Sequence, residues 1–269
     1  MCADVASWRP GPAGTRFASV ARFADIDSTN RFLLDEARSG GPDGLVAVAD
    51  HQRAGRGRLG RRWEAPPGAN LLVSILLRPQ VDPDDLHRST TAVALAAADA
   101  CREVADVDPG LKWPNDLVVG GGKLAGVLSE ADGGALVVGL GVNVRWPGPG
   151  SSAPVPPEDE VAMPATSLWL ASGVRHDPTD LVDPLLIAAE RRLADLATSA
   201  GRRRQADDYR RSCVTLGRDV LVTLADGSFS GAAVDVTDDG HLVVREGGAG
   251  AGVDRVVTAG DVVHVRLQV

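Results

Sequence analysis

The segment "GRGRLGRRWEAPPGAN" (residues 55–70) places Gly55, Gly57 and Gly60 at the G-x-G-x-x-G spacing of a dinucleotide-binding turn. That turn works only if its third glycine opens a helix whose N-terminal amides receive a pyrophosphate. Here Gly60 is followed by Arg61, Arg62 and Trp63, then by Pro66, Pro67 and Gly68, a composition incompatible with such a helix. A doubly wound parallel sheet is therefore set aside. What remains is a loop in which glycine alternates with Arg56, Arg58, Arg61 and Arg62. Glycine lets the backbone close on a ligand, and arginine offers planar donors to phosphate or carboxylate. A solvated basic turn is the alternative reading of the same residues.

Outward from this loop the chain alternates strand and helix signals. "LVAVAD" (45–50) and "NLLVSILL" (70–77) read as buried strands separated by some twenty residues rich in Arg, Gly and Pro. Upstream, "DIDSTNRFLLDEARSGG" (25–41) carries a helix with Ser28 or Thr29 as cap and an apolar stripe of Leu33, Leu34 and Ala37. Downstream, the alanine-rich stretch 89–104 predicts a packed helix. Short strands follow around 117–119, 124–129 and 135–144, joined by glycine-rich turns, which is the pattern of an antiparallel meander. Residues 145–167 hold many prolines and predict an exposed irregular loop. Two helices are expected within 181–200 and 204–213, the first with Leu186, Ala189, Leu193 and Leu196 on one face. Beyond Leu216, five short β segments with Asp226-Gly227 and Asp239-Gly240 as turns predict a small barrel. The expected division is residues 1–213 and 214–269. The fold class is α+β: a mixed, largely antiparallel sheet packed with helices, plus the small C-terminal β unit.

Composition narrows the function. The 269-residue chain carries a formal charge of −8, so the molecule as a whole repels nucleic acid and anionic lipid, and its arginines must act locally. Cys2, Cys101 and Cys213 are odd in number and far apart, which reads as free thiols in a reducing cytoplasm. The five histidines are scattered, with none at metal-ligand spacing. No apolar run reaches the roughly 18 residues of a membrane span, and the N-terminus lacks the apolar core of a signal peptide.

A second stretch adds chemistry to the loop. "LKWPNDLVVGGGKLAGVLSE" (111–130) sets Lys112, Asn115 and Asp116 before one strand and Lys123 near the start of the next. In a strand of period two, Lys123 and Ala125 share one face, while Leu124 and Gly126 share the other. Gly126 inside a strand marks close approach of a ligand or another backbone.

Taken in order, "DSTN" (27–30), "HQRAGRGRLGRRW" (51–63), "GAN" (68–70), "KWPND" (112–116), "GGKLAGVLSE" (121–130) and "GLGVNV" (139–144) resemble the biotin protein ligases. The strand-rich tail is similar to that family's small SH3-like C-terminal domain. Leu59 departs from the commonest form of the loop, where many relatives carry arginine, and the proline-rich linker is longer than the family leads one to expect. The resemblance implies an enzyme that activates biotin with ATP as biotinyl-5′-AMP, aided by Mg²⁺, and transfers biotin to a lysine of a biotin carboxyl carrier protein. It also implies a set of site residues. Ser28, Thr29, Asn30, Gln52, Arg56, Gly57, Arg58, Lys123 and Gly126 would surround biotin. Arg58, Arg61, Trp63, Asn115, Asp116, Lys123 and Asn143 would surround the nucleotide, with Asp116 on the metal side. Lys123, Arg56 and Arg58 would carry the chemistry. A lipoate or octanoate ligase is the alternative within the same superfamily. Only 27 residues precede Ser28, too few for a winged helix, so no operator-binding module is expected. The expected protein is cytoplasmic, a monomer or weak homodimer, and binds neither nucleic acid nor membrane.

Overall fold

The protein is described as a computed structural model covering residues 5–81, 85–150, 163–224, 227–247, 252–258 and 260–264. Cys2, Asp226 and residues 151–162 of the proline-rich stretch lie outside the described residues. Among the described residues, no helix is long and apolar enough to cross a membrane.

An eight-stranded sheet forms the body. Its strands are β1 (Ser7–Pro10), β2 (Ser19–Phe23), β3 (Val46–Ala49), β4 (Leu71–Leu77), β5 (Gly110–Lys112), β6 (Asp116–Val119), β7 (Gly122–Asp132) and β8 (Ala135–Val142). They lie side by side in the order β1-β2-β3-β4-β8-β7-β6-β5. All neighbours are antiparallel except β2 and β3. The expected meander is β6 to β8, extended by β5.

Alternation sorts the side chains of this sheet onto two faces. Val46, Val48, Leu71, Val73 and Ile75 share one buried cluster with the alanine-rich helix α2 (Leu86–Ala105), whose small residues let it lie close to β5 through β8. Ala47, Ala49, Leu72, Leu76 and Val137 meet Leu33 of α1 (Thr29–Arg38) on the other side. Ser28 caps α1, as expected, by accepting from the Arg31 amide. A short helix α3 (Leu168–Ser172), then α4 (Val182–Asp195) and α5 (Ser199–Ser212) complete the body, with Leu185, Leu186, Ala189 and Leu193 of α4 buried in the core.

The C-terminal unit contains β9 (Asp219–Leu224), β10 (Gly227–Val236), β11 (Leu242–Glu246), β12 (Val253–Val257) and β13 (Asp261–His264). They form a five-stranded antiparallel sheet in the order β12-β11-β10-β9-β13. Val220, Val222, Ala233, Leu242, Val244 and Val262 belong to the same buried cluster as the body. Trp113 Nε1 donates to the Gly240 carbonyl at 2.9 Å, and Arg210 Nε to that of Val236 at 2.6 Å. These bonds seat the small sheet against the end of the large one that carries β5 and β6.

Candidate active site

A cleft of about 970 Å³ opens on the α1 side of the large sheet. Small residues make room for it: Ser74 of β4 pairs with Gly139 of β8, and Gly141 of β8 pairs with Gly126 of β7. The N-terminus of α1, the arginine loop, and Leu221, Val262 and Val263 of the C-terminal unit supply the walls. Every expected site residue lines this cleft except Asn143.

One end is a closed polar network. The Thr29 amide donates to Gln52 Oε1 at 2.8 Å, and Thr29 Oγ1 lies 2.7 Å from Ser74 Oγ. Ser74 Oγ donates to Asn30 Oδ1 at 2.6 Å, and Asn30 Nδ2 donates to Glu130 Oε2 at 2.8 Å. Because the Ser74 proton goes to Asn30, the Thr29 hydroxyl is left to donate, towards Ser74 or Gln52. Thr29 thus commits its hydroxyl to the cleft network and leaves the capping of α1 to Ser28. Ser74 is fully buried at the centre of the network and was not anticipated. Its signal was a lone hydroxyl in the otherwise apolar run "LLVSILL".

The other end is charged. Lys123 Nζ lies 2.8 Å from Asp116 Oδ1, with the two side chains 31% and 18% exposed. Strict alternation placed Lys123 and Gly126 on opposite faces, and the structure corrects this. The pairing of β6 with β7 shifts between Leu117 and Val118, so that Ala125 and Lys123 oppose consecutive residues and Leu124 is the extra one. This β-bulge turns Lys123 onto the cleft side together with Gly126. A Cβ on Gly126 would come 3.5 Å from Lys123 Nζ.

The loop itself is a tight hairpin. Gly57 N–H donates to the Arg61 carbonyl at 2.8 Å and Trp63 N–H to that of Gly55 at 3.0 Å, with Arg56 and Arg62 bridged across it. Leu59 stands at the tip with φ of 57° and 71% exposure. A non-glycine residue in this left-handed region costs on the order of 1 kcal/mol. Arg56, Arg61 and Arg62 are exposed along the cleft mouth. Arg58 reaches inward: it donates to Asn115 Oδ1 at 3.3 Å and to the Gly260 carbonyl of the C-terminal unit at 3.0 Å. Lys112 Nζ likewise donates to the Val262 carbonyl at 2.7 Å.

Trp63 folds back over the Gly126–Gly141 pair, where a Cβ on Gly141 would lie 2.5 Å from the indole. Its ring sits 5.7 Å from Lys123 Nζ, and its buried Nε1 has no hydrogen-bond partner among the described residues. Asn143 lies behind the cleft floor. It accepts from Asn70 Nδ2 at 2.9 Å and donates to the Lys123 carbonyl at 3.2 Å, so its amide is committed to the backbone that carries the lysine.

No three His, Cys, Asp or Glu side chains gather among the described residues to hold a metal, and Asp116 is already paired with Lys123. Burial pushes the Cys101 thiol up to about 12 and also raises that of Cys213, which keeps both protonated and out of any nucleophilic role.

A mixed sheet that joins a small polar pocket to a cationic loop places the chain among the biotin and lipoate ligases. The Biotin/lipoate A/B protein ligase family matches residues 22–145, and the Biotin protein ligase C terminal domain matches residues 215–265. Similar proteins include the biotin–[acetyl-CoA-carboxylase] ligase of Mycobacterium tuberculosis, 37% identical over 94% of this chain and 92% of that one. The enzyme of the same name from Paracoccus denitrificans is 32% identical over 82% of this chain and 92% of that one. Among solved structures, the biotin protein ligase of Aquifex aeolicus in complex with biotin and ATP superimposes with a TM-score of 0.75 at 25% identity, covering 91% of this chain and 99% of that one. The chain belongs to the biotin protein ligase family.

Proposed function

We propose that this enzyme joins biotin to ATP in the cleft and then passes the activated acyl group to a lysine of an acetyl-CoA carboxylase carrier protein. The observation that carries the reading is the junction, in one cleft, of the Thr29–Ser74–Asn30–Gln52 network with the Lys123–Asp116 pair and the arginine loop. A ureido ring needs a few fixed donors and acceptors among apolar walls, and the network is of that kind. Biotin would lie with its ring there and its carboxylate towards Lys123.

In the first step a biotin carboxylate oxygen attacks the α-phosphorus, the bond to the bridging oxygen breaks, and pyrophosphate leaves. Two unit negative charges at about 4 Å repel by about 1 kcal/mol in water and about 4 kcal/mol at a protein-like dielectric of 20. Lys123 supplies the positive charge where the two anions meet, and its ion pair with Asp116 holds the ammonium in place until they arrive. Arg56 and Arg58 clamp the carboxylate and α-phosphate, while Arg61 faces the departing pyrophosphate. Trp63 and Asn115 take the nucleotide base and sugar side, and Asn143 supports Lys123 from behind. The described residues gather no carboxylate cage, and Mg²⁺ would enter with the triphosphate as part of the nucleotide substrate.

In the second step the carrier lysine's neutral amine attacks the acyl carbon. The bond from that carbon to the phosphate oxygen breaks, AMP departs with the electron pair, and the nitrogen gives up its proton. The acyl-adenylate is labile to water, so closure of the arginine loop over it protects the intermediate. Residues 214–269 would form the second unit, packed on the body, and its Gly260 and Val262 carbonyls steady Arg58 and Lys112 before substrate binds. ATP–pyrophosphate exchange driven by biotin tests the reading. Exchange with lipoate or octanoate instead would move the chain to the neighbouring branch of the superfamily.

A further inference from the structure

Lys123 sits where one regular ladder runs out and another is interrupted. β8 accompanies β7 only as far as the Ala125–Val142 pair, and β6 falls out of step at Leu124. The place beside Lys123 that β8 leaves is taken by residues 164–166. Lys123 N–H donates to the Pro164 carbonyl at 2.7 Å, and Thr166 N–H donates to the Lys123 carbonyl at 2.9 Å, which makes a parallel bridge between Lys123 and Ala165. The far end of this segment is fixed by Ser167, fully buried, which donates to the Pro147 carbonyl at 2.5 Å and caps α3. Met163, just before it, lines the cleft.

We infer that Pro164–Thr166, the described end of the proline-rich stretch, is a positioning element that sets Lys123 for adenylate formation; this rests on the role proposed above for Lys123. A lysine side chain has four torsions, so its charge is placed accurately only if both ends are held. Asp116 holds the ammonium, and Pro164–Thr166, with Asn143, hold the peptide on the side that β8 has left. Misplacing a catalytic group by about 1 Å can cost about a hundredfold in rate.

The test compares two substitutions at one position. Thr166→Pro removes the N–H that bonds Lys123, and Ala165, already in a β-bridge, suits the residue before a proline. Thr166→Ala keeps the N–H. In Thr166→Pro, kcat for ATP–pyrophosphate exchange is expected to fall at least tenfold, with the biotin KM and the transfer of biotin from added biotinyl-5′-AMP within twofold of wild type. Thr166→Ala is expected to match wild type throughout. An independent variant displaces the segment sterically: a Cβ on Gly122 would lie 2.8 Å from Thr166 Cβ, so Gly122→Ala should slow exchange and Gly122→Ala/Thr166→Gly should restore it. Lys123→Ala is measured alongside. If it slows exchange while Thr166→Pro and Gly122→Ala do not, the positioning role is overturned alone. If Lys123→Ala leaves exchange unchanged, the role of Lys123 falls and takes this inference with it.

Discussion

The two ends of the cleft are built on different principles. At the Ser74 end, buried Thr29, Asn30 and Ser74 and half-buried Gln52 and Glu130 already hold one another at 2.6 to 2.8 Å. At the arginine end, Arg56, Arg61 and Arg62 line the mouth from an exposed hairpin, and Arg58 is held by the C-terminal unit across the cleft. A neutral ring can be received by a site made in advance, because hydrogen-bonding groups satisfy each other before the ligand arrives. A reacting pair of anions needs concentrated positive charge, which repels itself when the anions are absent. The difference predicts separable effects on binding and on chemistry.

Lys123→Ala should show the largest effect. A loss of at least a hundredfold in biotin-dependent ATP–pyrophosphate exchange corresponds to about 2.7 kcal/mol, the lower end of what removing one transition-state stabiliser costs. Biotin binding measured by calorimetry should change little. An equal loss of binding would show that the two ends are one unit.

Ser74→Val should do the reverse. It leaves Thr29 and Asn30 without their central partner, and an unsatisfied buried polar group costs about 1 to 3 kcal/mol. The biotin KM should rise at least tenfold while the ATP KM stays within threefold. A rise in both would blur the boundary drawn here.

Arg58→Gly removes a clamp and its link to Gly260. Dissociation of biotinyl-5′-AMP should quicken about tenfold while adenylate formation slows less, because a closing clamp acts mainly on the off-rate. The released intermediate should then label lysines of an unrelated protein. Labelling equal to that by the parent enzyme would return Arg58 to a structural role.

Asp99 provides a control far from both ends. Burial raises its carboxyl pKa, but hydrogen bonds from Arg192, together with the charges of Arg192, Arg191 and Arg102, outweigh this and hold it below the ordinary carboxylate value. A lowered folded-state pKa gives stability that is complete above the unfolded value and lost as pH falls through the folded one. Asp99→Asn should therefore reduce stability near neutral pH, by about 2 kcal/mol for a partly buried pair, and the difference from wild type should shrink under acid. Denaturant unfolding at several pH values checks this, with biotin and ATP KM values unchanged.

The sequence made the chemistry of the loop legible because glycine and arginine act there through residue type. The helix and meander signals were legible through periodicity. Ser74 was visible as a hydroxyl in an apolar strand, but its meaning depends on Asn30 and Thr29, 44 and 45 residues away. The bulge at Leu124 was hidden because strict alternation has no term for an extra residue, and it reversed the relation of Lys123 to Gly126. The edge strand β1 and its neighbour β2 lacked a clear pattern: Ser7–Pro10 is exposed throughout. The reach of Gly260 and Val262 to Arg58 and Lys112 is a tertiary contact across about 150 to 200 residues of chain.

The most direct measurement incubates the enzyme with ATP, labelled biotin and a purified biotin carboxyl carrier domain, and reads label on the carrier's lysine alongside AMP and pyrophosphate. The account predicts one AMP and one pyrophosphate for each biotin attached, with no label when biotin is replaced by lipoate or octanoate. Transfer of lipoate or octanoate in preference to biotin, or no ATP-dependent transfer of biotin at all, would contradict it.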